Sequence, residues 1–442
     1  MKSNKIIAPW KGDRRWTQMA TRAAALKKAR LGEAEIVAAI EAEFGPPSRP
    51  KDALRDAPQP AFVCGEVGAD IEPAARAQLE LALRLPPSVQ GALMPDAHPG
   101  YALPIGGVLA MQNAVAPAMV GVDIGCRMHL SVFENPPDEF RKNRLPLFAD
   151  LREVTTFGLG ERRARPADHP ILDNDRWQLT TQTRGLRAKA AQQLGTSGSG
   201  NHFAELVVGE ALDPAASLPA QFTALLTHSG SRGVGYALAN HYIRLAAQET
   251  AARAKVPKFY EWLSLDADAG REYWQAMELA GDFARACHEV IHREFARRAG
   301  LTPARVIQNH HNFAWRTDDL VIHRKGATPA EPGVLGVIPG SMGSASYVVR
   351  GLGRPDALWS ASHGAGRRGS RTRARSDIGL ADVRRSLKQQ DILVDGLSVE
   401  EAPQAYKDIE RVLRLQADAG LVRPLARMRP IAVIMAGEPG DN

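Results

Sequence analysis

The sequence AMVGVDIGCRMHLSVF, residues 118–133, joins two apolar runs through a turn that contains Gly125. The first run, 118–122, predicts a short strand. In the second, 128–133, apolar and polar side chains alternate, which is the pattern of a half-buried strand. The turn between them contains Asp123 and Cys126. Because glycine beside a strand end leaves room for groups from distant segments, both side chains are candidates for a functional site.

Short apolar runs and amphipathic segments continue on both sides of this sequence. Strands are predicted at residues 105–111 and 222–227. Apolar runs at 334–338 and 345–349 flank a Pro/Gly turn, and the tail closes on an apolar run at 431–435. Helices are predicted at residues 71–85, 235–255, 273–298, 383–393 and 403–417. Because strands and helices are mixed without a regular βαβ rhythm, the pattern predicts an α+β fold. No Gly-rich nucleotide cradle stands at a predicted strand–helix junction.

The composition of the 442 residues is that of a globular protein, with 44% hydrophobic and 24% charged residues. No apolar run is long enough to cross a bilayer, so we expect no membrane span. The N-terminal residues lack the apolar core of a secretory signal. Three cysteines cannot form a disulfide framework in so long a chain, which predicts a reducing, cytoplasmic setting.

The net charge of +7 is concentrated at the N-terminus. Residues 1–30 contain nine Lys/Arg and one acid, a net of +8, so the remaining residues sum to −1. A helix is predicted over residues 10–44, and a Pro/Gly-rich linker follows it. This basic extension has three interpretations: a solvated helix pair or arm packed on the body, an arm that binds a polyanion, or a transit peptide, which the acids from Glu33 onward disfavour.

Five potential metal ligands stand beside glycines or at the ends of apolar runs. One carboxylate, one thiolate and three imidazoles suit Mn, Zn, Fe or Co better than Mg or Ca, and a cysteine can bridge two ions that polarise phosphoryl oxygens. Each residue alone also has a structural interpretation, and the cysteine could be a catalytic thiol. The candidates are Asp123, Cys126, His202, His228 and the pair His310-His311.

His363 lies between glycine-containing turns and an arginine cluster that extends over residues 367–375. Beside phosphate-binding arginines, its imidazole would act as a general base or as a nucleophile that forms a phosphoramidate. The arginines are either solvated or contact phosphate in a bidentate manner. Asp96 and His98 lie in a Pro/Gly-rich segment, where they either form a turn or act as orienting or acid–base groups.

These segments together resemble the RtcB family of RNA-splicing ligases. The matching sequences occur in family order over residues ~61–435, which makes the resemblance highly specific. They are MPDAHPGYALPIGGV (94–108), GVDIGC (121–126), GSGNHFAE (198–205), HSGSRGVG (228–235), HHNFA (310–314), HRKGAT (323–328), IPGSMGSASYVV (338–349), SHGAGRRGSR (362–371) and EAPQAYKDIE (401–410).

The resemblance implies a single large catalytic domain at residues 61–442, with mixed β-sheets surrounded by helices, after a basic helical extension and linker at 1–60. It implies a GTP- and Mn²⁺-dependent ligase. Such an enzyme joins an RNA 3′-phosphate or 2′,3′-cyclic phosphate to a 5′-hydroxyl through a histidine–GMP intermediate at His363. The expected partners are RNA with these ends and an activating helper protein.

The resemblance also assigns roles to individual residues. Two Mn²⁺ ions are expected on Asp123, Cys126, His202, His228 and His311. Nucleotide contacts are expected at Asn201, Phe203, Glu205, Asn312, Ser341, Ser346, Gly364, Gly366 and Tyr406. The chemistry of arginine, more than the family motif, suggests RNA phosphate contacts at Arg232, Arg367 and Arg371.

The sequence departs from the family pattern near its end. The family places a guanine-contacting lysine before a terminal glycine, where this chain has Met435. Methionine offers no charged donor to a purine carbonyl, so another nucleotide specificity is an open alternative. Two further functions fit the same residues: a metal-dependent RNA-end phosphohydrolase and an RNA-binding repair subunit.

Overall fold

The structure is a computed structural model that describes residues 3–7, 10, 15–45 and 54–437. The chain divides into two compact units, Met1–Ala53 with Ala251–Lys255, and Leu54–Thr250 with Val256–Asn442. In these described parts, every helix is too short or too polar to cross a membrane.

The N-terminal unit contains helices α1 (Ser3–Ile6), α2 (Trp16–Lys28) and α3 (Glu33–Phe44). Residues 10–44 do not form one continuous helix, and the interpretation as a helix pair describes α2 and α3. Arg30 adopts a left-handed φ of 62°, which interrupts the helix, and the Gly32 N–H donates to the Glu35 carboxylate at 2.8 Å to begin α3. The helices share a small core of Ile6, Ile7, Trp10, Met19, Ala23, Ile36 and Ile40.

The remaining helices and strands belong mainly to the large unit, with the last residues of α9 in the small one. The helices are α4 Pro73–Ala82, α5 Pro117–Val120, α6 Pro137–Lys142, α7 Arg144–Val154, α8 Thr181–Gln193, α9 Arg232–Arg253, α10 Asp268–Ala299, α11 Arg371–Asp377, α12 Leu380–Gln389 and α13 Ile409–Asp418. The strands are β1 Ala61–Val63, β2 Ser88–His98, β3 Ile105–Gln112, β4 Ala114–Val115, β5 Arg127–Phe133, β6 Phe203–Ala211, β7 Gln221–Ser229, β8 Leu263–Ser264, β9 Arg305–His310, β10 Phe313–Thr317, β11 Leu320–Lys325, β12 Ala327–Pro329, β13 Leu335–Ile338, β14 Ser346–Gly351, β15 Ser360–Ser362, β16 Leu393–Asp395 and β17 Val422–Met435.

These strands form two principal sheets, which confirms the α+β class. The larger sheet has the order β13-β14-β17-β6-β7-β5-β9, and β16 pairs with β17. The smaller sheet has the order β1-β2-β3-β11-β10. Most neighbours are antiparallel, whereas the β1–β2 and β16–β17 pairs are parallel. Helix α10 covers part of the larger sheet and contributes to the core on that side.

Three local predictions differ from the structure. Residues 117–120 form the helix α5 instead of a strand, because Pro117 stands at the first helical position and Gly121 ends the helix with a φ of 102°. Asp96 and His98 end strand β2 instead of lying in a loop. Strand β5 is buried on both faces, not half-buried, because α10 covers its polar side.

The larger sheet brings four chain segments to one edge. Strand β5 begins directly after Cys126, and β6 begins directly after His202. The neighbouring strands β7 and β9 run the other way, so His228 near the end of β7 and His311 just after β9 reach the same edge. Antiparallel pairing therefore places side chains that are up to 185 residues apart in the chain beside one another.

Candidate active site

Five side chains at this edge form a compact group, which we call the metal-ligand cluster. The Cys126 Sγ lies 3.3 Å from the His202 Nε2 and 3.2 Å from the His228 Nε2. The His202 Nε2 lies 3.0 Å from an Asp123 oxygen, and the His228 Nε2 lies 3.4 Å from the His311 Nε2. Two sets of three potential ligands result, and Cys126 belongs to both.

Burial favours the neutral form of the histidines in the cluster. Burial lowers the pKa of His228 to about 3, and it also lowers the pKa values of His202 and His311. Burial opposes ionisation of Asp123, but His202 and Arg232 outweigh it and lower the pKa of that carboxyl. Burial, together with Asp123, raises the pKa of the Cys126 thiol well above its usual value. A bound divalent cation would reverse this last effect, since it stabilises a thiolate.

Backbone and side-chain contacts fix how two of these rings are oriented. The His228 Nδ1–H donates to the Asn201 carbonyl at 3.2 Å, which leaves the Nε2 lone pair facing Cys126. The Arg232 guanidinium instead donates to the His202 Nδ1 at 2.8 Å, so the proton of that ring is on Nε2, toward Asp123. Ligation through the His202 Nε2 would require this proton to leave and Arg232 to release the ring.

The donor set fits a pair of divalent transition-metal ions. A thiolate shared by two groups of imidazole and carboxylate ligands matches ions of intermediate softness. Residue 230 must be glycine for Asp123 to reach the cluster, since a Cβ there would lie 2.1 Å from an Asp123 oxygen. The buried His311 Nδ1 has no hydrogen-bond partner among the described residues, so it is not held in a protein network.

His363 lies beside this cluster, and Asp96 holds its ring. The His363 Nδ1 is 2.8 Å from the Asp96 Oδ2, and the His363 and His311 ring centres are 4.7 Å apart. A carboxylate that accepts from Nδ1–H leaves the Nε2 lone pair available for chemistry. His98 Nδ1 contacts the backbone oxygen of Asp96 at 3.0 Å, and burial lowers the pKa of His98 to about 4.

One cavity of about 310 Å³ connects the cluster, His363 and most other residues singled out in the sequence. All nine predicted nucleotide contacts line it. Asp96, His202 and Arg232 are not part of its lining. The lining residues with predicted nucleotide roles are Asn201, Phe203, Glu205, Asn312, Ser341, Ser346, Gly364, Gly366 and Tyr406.

Comparison with known proteins decides the family. Residues 78–436 match the family described as tRNA-splicing ligase RtcB. The chain belongs to the RtcB family. The RNA-splicing ligase RtcB of Escherichia coli K12 is 30% identical over 403 residues, which cover 83% of this chain and 95% of that protein.

Other organisms contain similar members of the RtcB family. The RNA-splicing ligase RtcB of Mycobacterium bovis is 33% identical over 412 residues, covering 77% of this chain and 95% of the relative. The tRNA-splicing ligase RtcB of Nanoarchaeum equitans is 32% identical over 422 residues, covering 77% and 87%. As a member of this family, the protein is an RNA ligase.

Sequence reasoning missed two acids that pair with the arginines of this RtcB-family site. Arg371 contacts Glu400 at 2.7 Å and Glu401 at 2.8 Å, and Arg367 contacts Glu401 at 3.4 Å. Tyr406 also donates to Glu401. The arginine charges near the cavity are thus largely balanced, and contact with RNA phosphate would compete with these ion pairs. The only sequence signal was that Glu401 begins a matching family segment.

Lys325 is a third residue that the sequence reasoning left without a role, although HRKGAT was among the matching segments. It ends β11, lines the cavity and donates to the backbone oxygens of Tyr101 and Ala118 at 3.2 and 3.1 Å. Burial lowers its pKa to about 7. A buried ammonium so close to the cavity can add positive charge where phosphate would bind.

Proposed function

We propose that this RNA ligase joins RNA 3′-phosphate or 2′,3′-cyclic phosphate ends to 5′-hydroxyl ends, using GTP and Mn²⁺ through a histidine–GMP intermediate. The observation behind the proposal is the position of His363. A buried carboxylate orients its ring, a ligand of the metal-ligand cluster lies beside it, and the candidate nucleotide contacts share its cavity.

The Asp96–His363 pair accounts for the nucleophile. The His363 Nε2 lone pair attacks the α-phosphorus of GTP, a P–N bond forms, and the bond to pyrophosphate breaks. Asp96 stabilises the positive charge that develops on the ring, since it already accepts from Nδ1–H. A 2′,3′-cyclic end is first opened by water to the 3′-phosphate. An oxygen of the RNA 3′-phosphate then displaces the histidine. The RNA 5′-hydroxyl finally attacks the activated phosphorus, GMP leaves, and the hydroxyl proton passes to solvent.

Two divalent ions held by Asp123, Cys126, His202, His228 and His311 would neutralise phosphoryl charge and favour in-line attack. His228 is oriented for ligation by the Asn201 carbonyl. Arg232 has a second potential role, because releasing His202 would free its guanidinium for an RNA phosphate. Arg367 and Arg371 would need to exchange Glu400 or Glu401 for phosphate oxygens.

A labelling experiment tests the proposed intermediate. With Mn²⁺ and GTP labelled at the α-phosphate, the protein should retain an acid-labile label, and His363→Ala should abolish it. Asp96→Asn should slow labelling while nucleotide still binds. His169→Ala removes a histidine that lies outside the cavity lining and should label normally. A His363→Ala protein that still becomes labelled would refute the assignment of the nucleophile.

A metal-dependent phosphohydrolase is the second candidate, because the metal-ligand cluster could open cyclic phosphate ends without using His363. Product analysis separates the two functions. With paired cyclic-phosphate and 5′-hydroxyl ends, ligation gives one longer RNA that depends on His363. Opened but unjoined ends that persist in His363→Ala, with no joined product from the wild type, would favour the hydrolase.

A further inference from the structure

Four side chains from two neighbouring strands form one face of the cavity, which we call the base face. Phe203 and Glu205 of β6 pair directly with Met435 and Val433 of β17. Because alternate residues of a strand share a face, all four side chains lie on the same side of the sheet, and all four line the cavity. Three of them are apolar, and an apolar face of this kind suits the flat surface of a nucleobase.

Glu205 is the only polar member of the base face, and it is nine-tenths buried or more, with 3% of its surface exposed. The Gly340 N–H donates to the Ser346 hydroxyl at 3.3 Å, and Ser346 in turn hydrogen-bonds the Glu205 carboxyl. The second carboxyl oxygen, Oε1, is buried and has no hydrogen-bond partner among the described residues. A polar atom that is left unsatisfied in this way is available to a ligand.

The surroundings of Glu205 keep its carboxyl neutral. Its neighbours on the base face are Phe203, Val433 and Met435, and Leu226 pairs with it from β7. None of these side chains is charged or titratable, and the Ser346 hydroxyl is the one polar partner. Burial accordingly raises the pKa of Glu205 to about 8.

We propose that the base face accepts adenine, so that ATP serves beside GTP as the nucleotide that modifies His363. A neutral carboxyl offers one donor and one acceptor, which complement the ring nitrogen and the amino group on the pairing edge of adenine. Guanine presents two donors and a carbonyl acceptor on that edge. It needs an ionised carboxylate and a further donor, and Met435 cannot supply one. The inference rests on the proposed function and extends it to the choice of base.

The test is the His363 labelling assay run with all four nucleoside triphosphates, each labelled at the α-phosphate. ATP should label the wild-type protein to within about tenfold of GTP, because the complexes of the two bases with the base face differ by about one hydrogen bond. Met435→Lys adds a donor for the guanine carbonyl and a cation beside Glu205. It should therefore lower the ATP-to-GTP labelling ratio by about tenfold or more. Leu352→Lys adds the same charge at an exposed position outside the cavity and should leave the ratio unchanged.

Glu205→Gln provides a second variant that does not add charge. The amide keeps one donor and one acceptor but cannot ionise, so ATP labelling should persist while GTP labelling falls. GTP labelling of Met435→Lys also shows that this variant is folded. If it labels with neither nucleotide, Glu205→Gln decides the question.

The outcomes separate the inference from the proposed function. Label from GTP but not from ATP in the wild type overturns the adenine inference and leaves the ligase mechanism intact. Equal loss of both labels in Glu205→Gln also overturns it. No label from any of the four nucleotides overturns the proposed function itself.

Discussion

Two buried groups of histidines lie on opposite faces of the same strands, and their hydrogen bonds differ. The metal-ligand cluster includes His228, whereas its chain neighbour Thr227 belongs to a second group with His129, His288 and His292. In each group of three potential ligands, the ligand atoms lie within 4.8 Å of one another. By proximity alone, both groups could hold a metal ion. We call the second group, with Ser131 and Thr227, the histidine network.

The histidine network is a chain of hydrogen bonds with one consistent direction. The Ser131 hydroxyl donates to the His292 Nδ1 at 2.8 Å, and the His292 Nε2–H donates to the Thr227 hydroxyl at 2.8 Å. Thr227 donates to the His288 Nδ1 at 2.5 Å, and the His288 Nε2–H ends the chain on the Ser229 carbonyl at 3.1 Å. Both nitrogens of His288 and His292 are therefore occupied by protein groups.

His228 and His311 of the metal-ligand cluster lack this closure. The His228 Nε2 faces the weakly donating Cys126 thiol and, at 3.4 Å, the His311 Nε2, and the His311 Nδ1 has no partner among the described residues. Two rings differ from the rest of their groups: the two nitrogens of His202 contact Arg232 and Asp123, and the buried His129 Nδ1 has no partner in the described part of the chain. The comparison teaches that burial and proximity do not distinguish a ligand histidine from a structural one. At His228, His288 and His292 the partners of the ring nitrogens do distinguish the two groups, because a lone pair already used by a serine or threonine hydroxyl is unavailable to a metal ion.

The largest effect is expected when the shared ligand of the metal-ligand cluster is removed. Cys126→Ser should reduce ligation by about 100-fold or more, because loss of even an outer partner of a metal site costs about 10–100-fold. A gel assay of joined RNA measures it. Cys287→Ala, in the core outside the cavity, is the matched control and should keep activity. Equal loss in both variants would contradict the role of the cluster.

Breaking the histidine network should change stability instead of catalysis. His292→Ala leaves Ser131 and Thr227 without their ring partner, at a cost of about 1–3 kcal/mol for each buried group that stays unsatisfied. Urea denaturation measures the loss, with His241→Ala on α9 as the control. An unchanged midpoint, or loss of ligation at full stability, would show that the network has a catalytic part.

Glu205 is intermediate between the two groups, since it is buried and neutral but has an unpartnered oxygen. Its pKa of about 8 gives a pH dependence. Below this pH the neutral carboxyl favours adenine, and above it the carboxylate favours the two donors of guanine. The ATP-to-GTP labelling ratio should therefore fall several-fold between about pH 7 and pH 9. In Glu205→Gln the ratio should be flat, and an equal slope there would assign the titration to another group.

The smallest effect is expected from the basic N-terminal segment. If it binds RNA, deletion of residues 1–45 should weaken RNA binding and lower its salt slope by about 0.7 for each phosphate that the segment neutralises. Binding measured from low to moderate salt gives the slope. The same slope in the shortened protein would mean that the segment, which has its own small core, is structural.

The sequence predicted more of the site than of its surroundings. The cluster residues could be singled out because each is chemically distinctive and stands at a strand end or beside glycine, and the sheet brings such ends together. The partners of those residues could not be predicted from the sequence. No local feature of the sequence shows that Arg371 pairs with Glu400. Likewise, none shows that Asp96, at the end of β2, contacts His363.

The histidine network shows why the fold itself was only partly predictable. His129 and Ser131 alternate with apolar residues, and this two-residue alternation predicted a half-buried strand whose polar side chains face solvent. The pattern cannot show that α10, more than 130 residues later, would cover that face with His288 and His292. Long-range packing, not local preference, decided which polar side chains are buried.

Metal counting after reconstitution with Mn²⁺ tests the central claim most directly. The wild-type protein and His292→Ala should each retain two ions per chain, and Cys126→Ser should retain fewer than one. A wild-type protein that loses an ion when His292 is replaced, or a Cys126→Ser protein that keeps both, would contradict the distinction between the metal-ligand cluster and the histidine network.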